Sequence, residues 1–235
     1  TIQGNYVGLN AAGTAALYNG SNTSRPAIRF DIGSNYNTVG GATAGARNVI
    51  SGNTAHGLWI TNSHQNTFKG NYIGTNAAGT AAIGNWWGFV LVGASDNVIG
   101  GSAAGEGNVI SGSISTGGGI CLCGSSPRTI IQGNYIGTNA AGTAALPHTN
   151  AGIFITAGSD NTVIGDSVAG AGNVISGGVG GIFVNAATGT QIKGNKIGTD
   201  IAGTTALPNT NSGITITTSA NNTVIGGTTA AARNV

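Results

Sequence analysis

The sequence contains very little charge. Of its 235 residues, eight are Lys or Arg and six are Asp or Glu, so 6% of the chain is charged, whereas an ordinary soluble domain has roughly 25%. Ion pairs therefore cannot hold the fold together, and neutral Asn, Thr, Ser and backbone groups must hydrate its surface. Because the few basic residues form no cluster, the sequence argues against nucleic acid and against an anionic membrane as partners.

Long apolar runs, helical periodicity and methionine are also missing. No stretch of 18 apolar residues could form a transmembrane segment, and the chain does not open with the charged and apolar regions of an export signal. Apolar residues occur instead in runs of four to five, bounded by Gly or Asn, which are typical of short strands. Because even an initiator Met is absent, we expect the chain to be a processed product or a part of something longer.

Glycine is abundant, with 44 residues, and it takes part in an internal repeat of about 61 residues. The run GNYVG recurs as GNYIG or GNKIG, beginning at Gly4, Gly70, Gly133 and Gly194. A second run, NVISG, alternates with it, beginning at Asn48, Asn108 and Asn173 and starting again at Asn234. Two different structural units therefore alternate along the chain.

A third run, an alternating strand such as GLWIT or GIFIT, occurs twice in each period. Its first apolar residue recurs at a mean spacing of about 31 residues, at Ile28, Leu58, Phe89, Ile120, Ile153, Ile182 and Ile214. Alternation places the residues two positions later on the same face, namely Phe30, Ile60, Leu91, Leu122, Ile155, Val184 and Ile216. We therefore predict an all-β fold, a right-handed parallel β-helix over residues 1–235 with seven to eight coils of two alternating types.

In each predicted coil, an asparagine stands at the start of the third strand. The eight positions are Asn5, Asn48, Asn71, Asn108, Asn134, Asn173, Asn195 and Asn234. A side-chain amide can both donate to and accept from the same amide one coil away, so this column predicts a structural ladder of buried hydrogen bonds. A second repeated feature, the near-identical excursions at residues 10–16, 75–82, 138–145 and 199–206, predicts loops that pack on one another along one side.

The segments GNYIGTNAAGTAAL, NTVIGG and AGAGNVISG resemble the repeats of large secreted or surface-exposed bacterial β-helix proteins of the pectin-lyase-like architecture. This resemblance covers essentially the whole chain and implies an extracellular or cell-surface location. Enzymes of that architecture would imply a cluster of acidic metal ligands and a basic residue on the first strand's outer face. Here no two acidic residues share a strand, so we expect no metal and no cofactor. We interpret the chain as an internal segment of a longer repeat protein.

The best enzyme-like patch lies near the first of the alternating strands. Arg29, Asp31 and Trp59 should be neighbours there, with His64 at the edge of the strand, so an enzyme would use Arg29, Asp31 and His64. The simpler interpretation is a surface ion pair between Arg29 and Asp31. The three histidines, His56, His64 and His148, are interpreted as polar surface residues, because none has a partner at metal-site spacing.

The outward face of the same strands is largely apolar. Its column reads Arg29, Trp59, Val90, Cys121, Phe154, Phe183 and Thr215. Contiguous apolar stripes usually mark a contact surface, so Trp59, Phe154 and Phe183 are candidate ligand-binding residues. Cys121 and Cys123 point the same way, and three states stay open for them: reduced, bonded in a locally distorted strand, or paired with another chain.

Three functional hypotheses follow from these features. The first is a non-catalytic extracellular structural or adhesive solenoid, possible partners being other copies of itself or a surface polysaccharide. The second is a polysaccharide-binding or polysaccharide-degrading module of the lyase or epimerase kind. The third is ice binding, suggested by Thr61, Thr156, Thr215 and Thr217, although Val92, Cys123 and Asn185 interrupt this threonine array.

Overall fold

The computed structural model describes residues 1–19 and 25–235. It confirms an all-β parallel solenoid with about 31 residues per coil. Its described part has three parallel sheets of seven strands each. The solenoid makes about six turns, fewer than the predicted seven to eight coils, because seven strands in a sheet are separated by only six complete turns. Two 3-10 helices, Ala44–Ala46 and Ala230–Ala232, are the only helices in these ranges, and neither is long enough to cross a membrane.

Each coil contributes one strand to each sheet, in the order first, second and third sheet. The first sheet contains β2 (Ile28–Phe30), β5 (Leu58–Thr61), β8 (Phe89–Val92), β11 (Ile120–Leu122), β14 (Ala151–Ile155), β17 (Gly180–Asn185) and β20 (Ile214–Thr217). The second sheet contains β3 (Thr38–Gly40), β6 (Thr67–Lys69), β9 (Val98–Gly100), β12 (Ile130–Gln132), β15 (Val163–Gly165), β18 (Gln191–Lys193) and β21 (Val224–Ile225). The third sheet contains β1 (Tyr6–Val7), β4 (Val49–Ile50), β7 (Tyr72–Ile73), β10 (Val109–Ile110), β13 (Tyr135–Ile136), β16 (Val174–Ile175) and β19 (Lys196–Ile197).

The register of the first sheet confirms both predicted apolar rows. Ile28 pairs with Leu58, and the pairing continues coil by coil to Ile182 with Ile214. The second and third sheets add their own inward rows of Val, Ile and Phe, so that one continuous core runs along the axis. Near one end of the core the Phe68 ring packs edge-on against Phe30 and Phe89, with centroid distances of 5.7 and 5.4 Å.

An asparagine ladder runs along the corner between the second and third sheets. Each of the predicted asparagines except the last donates from Nδ2 to Oδ1 of the asparagine one coil further, at 2.9–3.0 Å. The same Oδ1 also accepts the backbone N–H of the preceding asparagine at 3.0–3.2 Å. From Asn48 onward, Nδ2 makes a further bond to a carbonyl of the neighbouring coil at 2.8–3.0 Å. From Asn48 to Asn195 the ladder asparagines are buried, so their amides satisfy polar groups that no solvent reaches.

Shorter ladders occupy the other two corners, where the sequence analysis did not expect them. Between the first and second sheets, Asn37 donates to Asn66, and the Asn66 N–H donates to Asn97. Between the third and first sheets, Asn19 donates to Asn53, and Asn53 donates to Asn85. Every corner of the solenoid is therefore stabilised, at least in part, by stacked amides.

The repeated excursions pack on one another, as predicted. The Ala77 N–H donates to the Gly13 carbonyl, Ala140 donates to Gly79, and Ile201 donates to Gly142, at 2.8–2.9 Å. These loops follow β1, β7, β13 and β19, so each contact spans two coils and the loops arch over the intervening strands. As a result Val49, Val109 and Val174, which would otherwise face solvent, are each only 2% exposed.

The ladder predicts that replacing a central asparagine destabilises the fold much more than replacing a terminal one. In Asn108→Ala, the buried backbone N–H of Asn71 loses its acceptor and the Phe68 carbonyl loses the Asn108 amide, whereas Asn71 Nδ2 keeps its bonds to the Val39 and Lys69 carbonyls. We expect a loss of about 3 kcal/mol in the free energy of unfolding. The matched control Asn5→Ala removes an exposed rung and should cost about 1 kcal/mol or less. Urea unfolding followed by circular dichroism measures both, and equal losses would contradict the proposed role of the ladder.

Candidate functional site

All six carboxylates of the chain are engaged by its own groups. Three form ion pairs, namely Asp31 with Arg29 at 2.8 Å, Asp96 with Arg128 at 2.6 Å and Glu106 with Lys69 at 2.9 Å. Three accept backbone N–H groups, namely Asp160 from Thr188 at 2.7 Å, Asp166 from Ser167 at 2.6 Å and Asp200 from Thr204 at 2.9 Å. The Arg128 bond lowers the pKa of Asp96, the Lys69 bond lowers that of Glu106, and the Thr204 and Thr205 N–H groups lower that of Asp200.

The enzyme-like patch is only partly assembled. Arg29 and Asp31 form the expected ion pair, and both side chains are more than half exposed. His64 makes no hydrogen bond or ion pair with either of them; its Nδ1 lies 2.9 Å from Ser95 Oγ and accepts the Ser95 N–H at 3.1 Å. Arg29, Asp31 and His64 therefore do not form a hydrogen-bonded catalytic group in this structure.

The interpretation of the histidines as surface residues is wrong for two of them. His148 is 2% exposed and occupies a rung of the corner ladder between the third and first sheets. Its Nε2 lies 3.0 Å from the Ile110 carbonyl, and its Nδ1 accepts the Ser113 N–H at 3.4 Å. Asn209 makes the same two contacts two coils later, with Ile175 and Gly178. The parallel segments LPHTN and LPNTN were the sequence signal for this equivalence.

His56 belongs to an aromatic cluster on the outer face of the first sheet. It is 5% exposed, because its ring lies 5.0 Å from the Trp86 ring in a stacked arrangement and 4.9 Å from the Trp59 ring. Burial lowers the pKa of both His56 and His148 to about 4. Trp59 lies on this face as its place in the strand predicts, whereas Trp86 was not among the predicted residues of the face.

The predicted outward column is interrupted in its centre, where Val90 is 4% exposed and Cys121 is fully buried. Trp87 precedes β8, yet its ring lies 6.3 Å from the Phe154 ring of β14. The Trp87 side chain therefore crosses the coil of β11, which contains Cys121. Space for this crossing comes from Gly118, because a Cβ there would lie 2.7 Å from the Trp87 ring.

Three states were left open for the cysteines, and in the structure the two are bonded to each other. Cys121 and Cys123 form a disulfide, and their Cα atoms lie 5.2 Å apart. Strand β11 ends at Leu122, so Cys123 lies just beyond the regular strand. The bond stays within one coil and cross-links no other part of the fold.

Beyond Trp87, the outer face forms an aromatic groove. The Phe154 and Phe183 rings stack at 5.0 Å with an interplanar angle of 5°, as neighbouring rungs of the first sheet. The next rung is Thr215, whose side chain is much smaller. A groove of about 340 Å³ lies here, lined by Asn150, Ala151, Phe154, Val179, Gly180, Ile182, Phe183, Asn211, Ser212 and Thr215. The structure thus brings Phe154 and Phe183 together, while Trp59 lies in a separate cluster.

A second groove, of about 400 Å³, lies along the third sheet and includes Tyr135, Asp166 and Lys196. In an earlier repeat the corresponding tyrosine, Tyr72, is covered by the Arg47 guanidinium, whose Cζ lies 3.9 Å from the ring centroid. Gly107 stands where Arg47 would be in the later repeat, so Tyr135 has no guanidinium over its ring, although both tyrosines are half-buried.

Among residues 1–19 and 25–235, no group of three or more His, Cys, Asp or Glu side chains could hold a metal ion. Comparisons of the chain with protein families, with curated proteins and with solved structures find no match.

The buried histidines predict a loss of stability in mild acid. Because the pKa of His148 falls from 6.5 to about 4 on folding, the unfolded chain binds the proton first as pH falls. Its contribution is complete above pH 6.5 and is lost between pH 6.5 and about 4, to a total of about 3 kcal/mol. His56 acts in the same direction.

His148→Asn separates this effect from that of His56. Asparagine fills the equivalent rungs at Asn85 and Asn209, so the variant should remain folded at neutral pH and lose less stability in acid than the unmodified chain. Urea unfolding at pH 7 and pH 5 measures the difference. An unchanged pH dependence would show that His148 is not the group that titrates.

Proposed function

We propose that this chain is a non-catalytic extracellular rod with a structural and adhesive role. The observation that carries the proposal is that all six carboxylates serve the chain's own ion pairs and loop caps. Catalysis by carboxylates as general acid and base needs carboxylates that are free to reach a substrate. The aromatic face of the first sheet supports a binding role instead, because exposed apolar patches on soluble proteins mark contact surfaces.

The same proposal includes an extracellular location and a solenoid of the pectin-lyase-like architecture. They are supported by the resemblance of the GNYIGT, NTVIGG and GNVISG repeats to secreted and surface-exposed bacterial β-helix proteins of the pectin-lyase-like kind. The small number of charges also suits a surface that meets other surfaces, since few ions must be desolvated on contact. The partners that we propose for such a surface are further copies of the chain or a surface polysaccharide.

A second candidate function is polysaccharide binding without cleavage. The groove at Phe154 and Phe183 favours it, because a stacked aromatic pair with neutral polar neighbours offers both an apolar platform and hydrogen bonds. Degradation is less well supported, since the hydrogen bond of His64 goes to Ser95 and not to the Arg29 and Asp31 pair.

The non-catalytic role predicts that the chain leaves uronic-acid polymers intact. We expect no increase in ultraviolet absorbance from unsaturated products when the chain is incubated with pectate, alginate or a glycosaminoglycan. An active polysaccharide lyase in the same buffers is the positive control. Turnover that disappears in both Arg29→Ala and His64→Ala would contradict the proposal and would favour the degrading alternative.

The structural role predicts that the chain assembles or adheres at the surface of its source. Electron microscopy of the source surface, labelled with antibodies against this chain, should show the chain in filaments or a surface layer. Labelling confined to dispersed, short monomers would count against the structural role. A detergent-washed surface that retains the label is the control against loosely trapped protein.

A further inference from the structure

The first sheet contains a row of rings that ends at an open position. Trp87, Phe154 and Phe183 follow one another along its outer face, and the last two rings are nearly parallel, 5.0 Å apart. In a regular solenoid the next strand would place another ring at this spacing. Thr215 pairs with Phe183 in the adjacent strand, and it leaves one side of the Phe183 ring facing the groove.

The groove has the size of a small-ligand site and no charge. Its volume of about 340 Å³ is at the low end of the range of about 300–1,000 Å³ found for such sites. None of its lining side chains is Asp, Glu, Lys, Arg or His. A charged ligand would therefore lose hydration without gaining an ion pair, so the groove favours a neutral ligand.

Polar side chains at the rim are available for hydrogen bonds. In the described part of the chain, Asn211 and Ser212 contact only each other through their side chains, at a long distance of 3.5 Å. Thr215 is half-buried, and its hydroxyl makes no hydrogen bond there. By contrast, Asn150 already binds the Thr116 carbonyl and the Ala151 N–H, so it shapes the groove without being free.

From these features we infer that the groove beside Phe183 and Thr215 binds a neutral sugar ring. The C–H face of a pyranose would continue the stack on Phe183, whose ring face is electron-rich. Its hydroxyl groups would reach Asn211, Ser212 and Thr215. This inference rests on the proposed adhesive role and names the class of ligand, an uncharged polysaccharide, through which the rod would adhere.

The test measures binding of soluble oligosaccharides to the intact chain. Hexasaccharides of glucose, xylose, mannose and N-acetylglucosamine are titrated by isothermal calorimetry and by saturation-transfer NMR, with oligogalacturonate of equal length as the charged comparison. We expect at least one neutral oligosaccharide to bind with millimolar affinity or tighter, and oligogalacturonate to bind at least about tenfold more weakly.

Thr215→Phe completes the stack with the chain's own ring and should weaken neutral-sugar binding by about tenfold or more. Thr217→Phe is the matched control, because Thr217 lies on the same face of β20 but outside the groove lining. Its binding should stay within about twofold of the unmodified chain. Circular dichroism of both variants checks that they fold.

Phe183→Leu provides a second, independent variant, since it removes the ring and keeps an apolar side chain. It should also weaken binding by about tenfold. The inference is overturned if no neutral oligosaccharide binds, if oligogalacturonate binds equally well, or if folded Thr215→Phe binds like the unmodified chain. If any of these results is obtained while the antibody label is still found in filaments or a surface layer, the sugar site alone is overturned. The structural role then remains supported.

Discussion

The structure depends on the hydrogen bonding of identical side chains from one coil to the next. A solenoid buries backbone and amide groups at its corners, where the chain turns and cannot satisfy them within one strand. In the main ladder each asparagine between the first and the last both donates to and accepts from its neighbours, so every added coil satisfies the one before it. A residue with only one of these capacities would leave a buried partner without a bond.

This constraint explains much of the composition. Ladder and loop caps are built from Asn and Thr, and the arching loops require close backbone approach, which Gly and Ala permit. Glycine is also needed at the corner that carries the main ladder: at Gly70, a Cβ would lie 2.0 Å from the Gly41 carbonyl oxygen, and φ is +67°, a combination that only glycine accepts easily. Charge is scarce because coil-to-coil contacts are made by neutral groups, and like charges at equal positions in successive coils would repel.

The features that repeat could be predicted from the sequence. Spacing alone identified the coil length, both apolar rows of the first sheet and the asparagines of the main ladder, because stacking demands the same residue type at the same place. The site could be predicted less well. Phe154 and Phe183 follow from register, whereas the path of Trp87 across the coil that contains the buried Cys121 does not. His148 was misplaced because an imidazole fills a rung otherwise occupied by Asn, and residue type alone did not reveal it.

Regularity also limits where a ligand can be recognised. Identical rungs present the same groups in every coil, so a discrete pocket needs a departure from the repeat. Two such departures lie on the outer face of the first sheet: the tryptophans before β8, of which Trp87 is accommodated by Gly118, and the change from Phe183 to Thr215. Both leave the inward rows and the main asparagine ladder unchanged. The outer face is therefore where this scaffold can vary its chemistry while keeping the interactions that hold successive coils together.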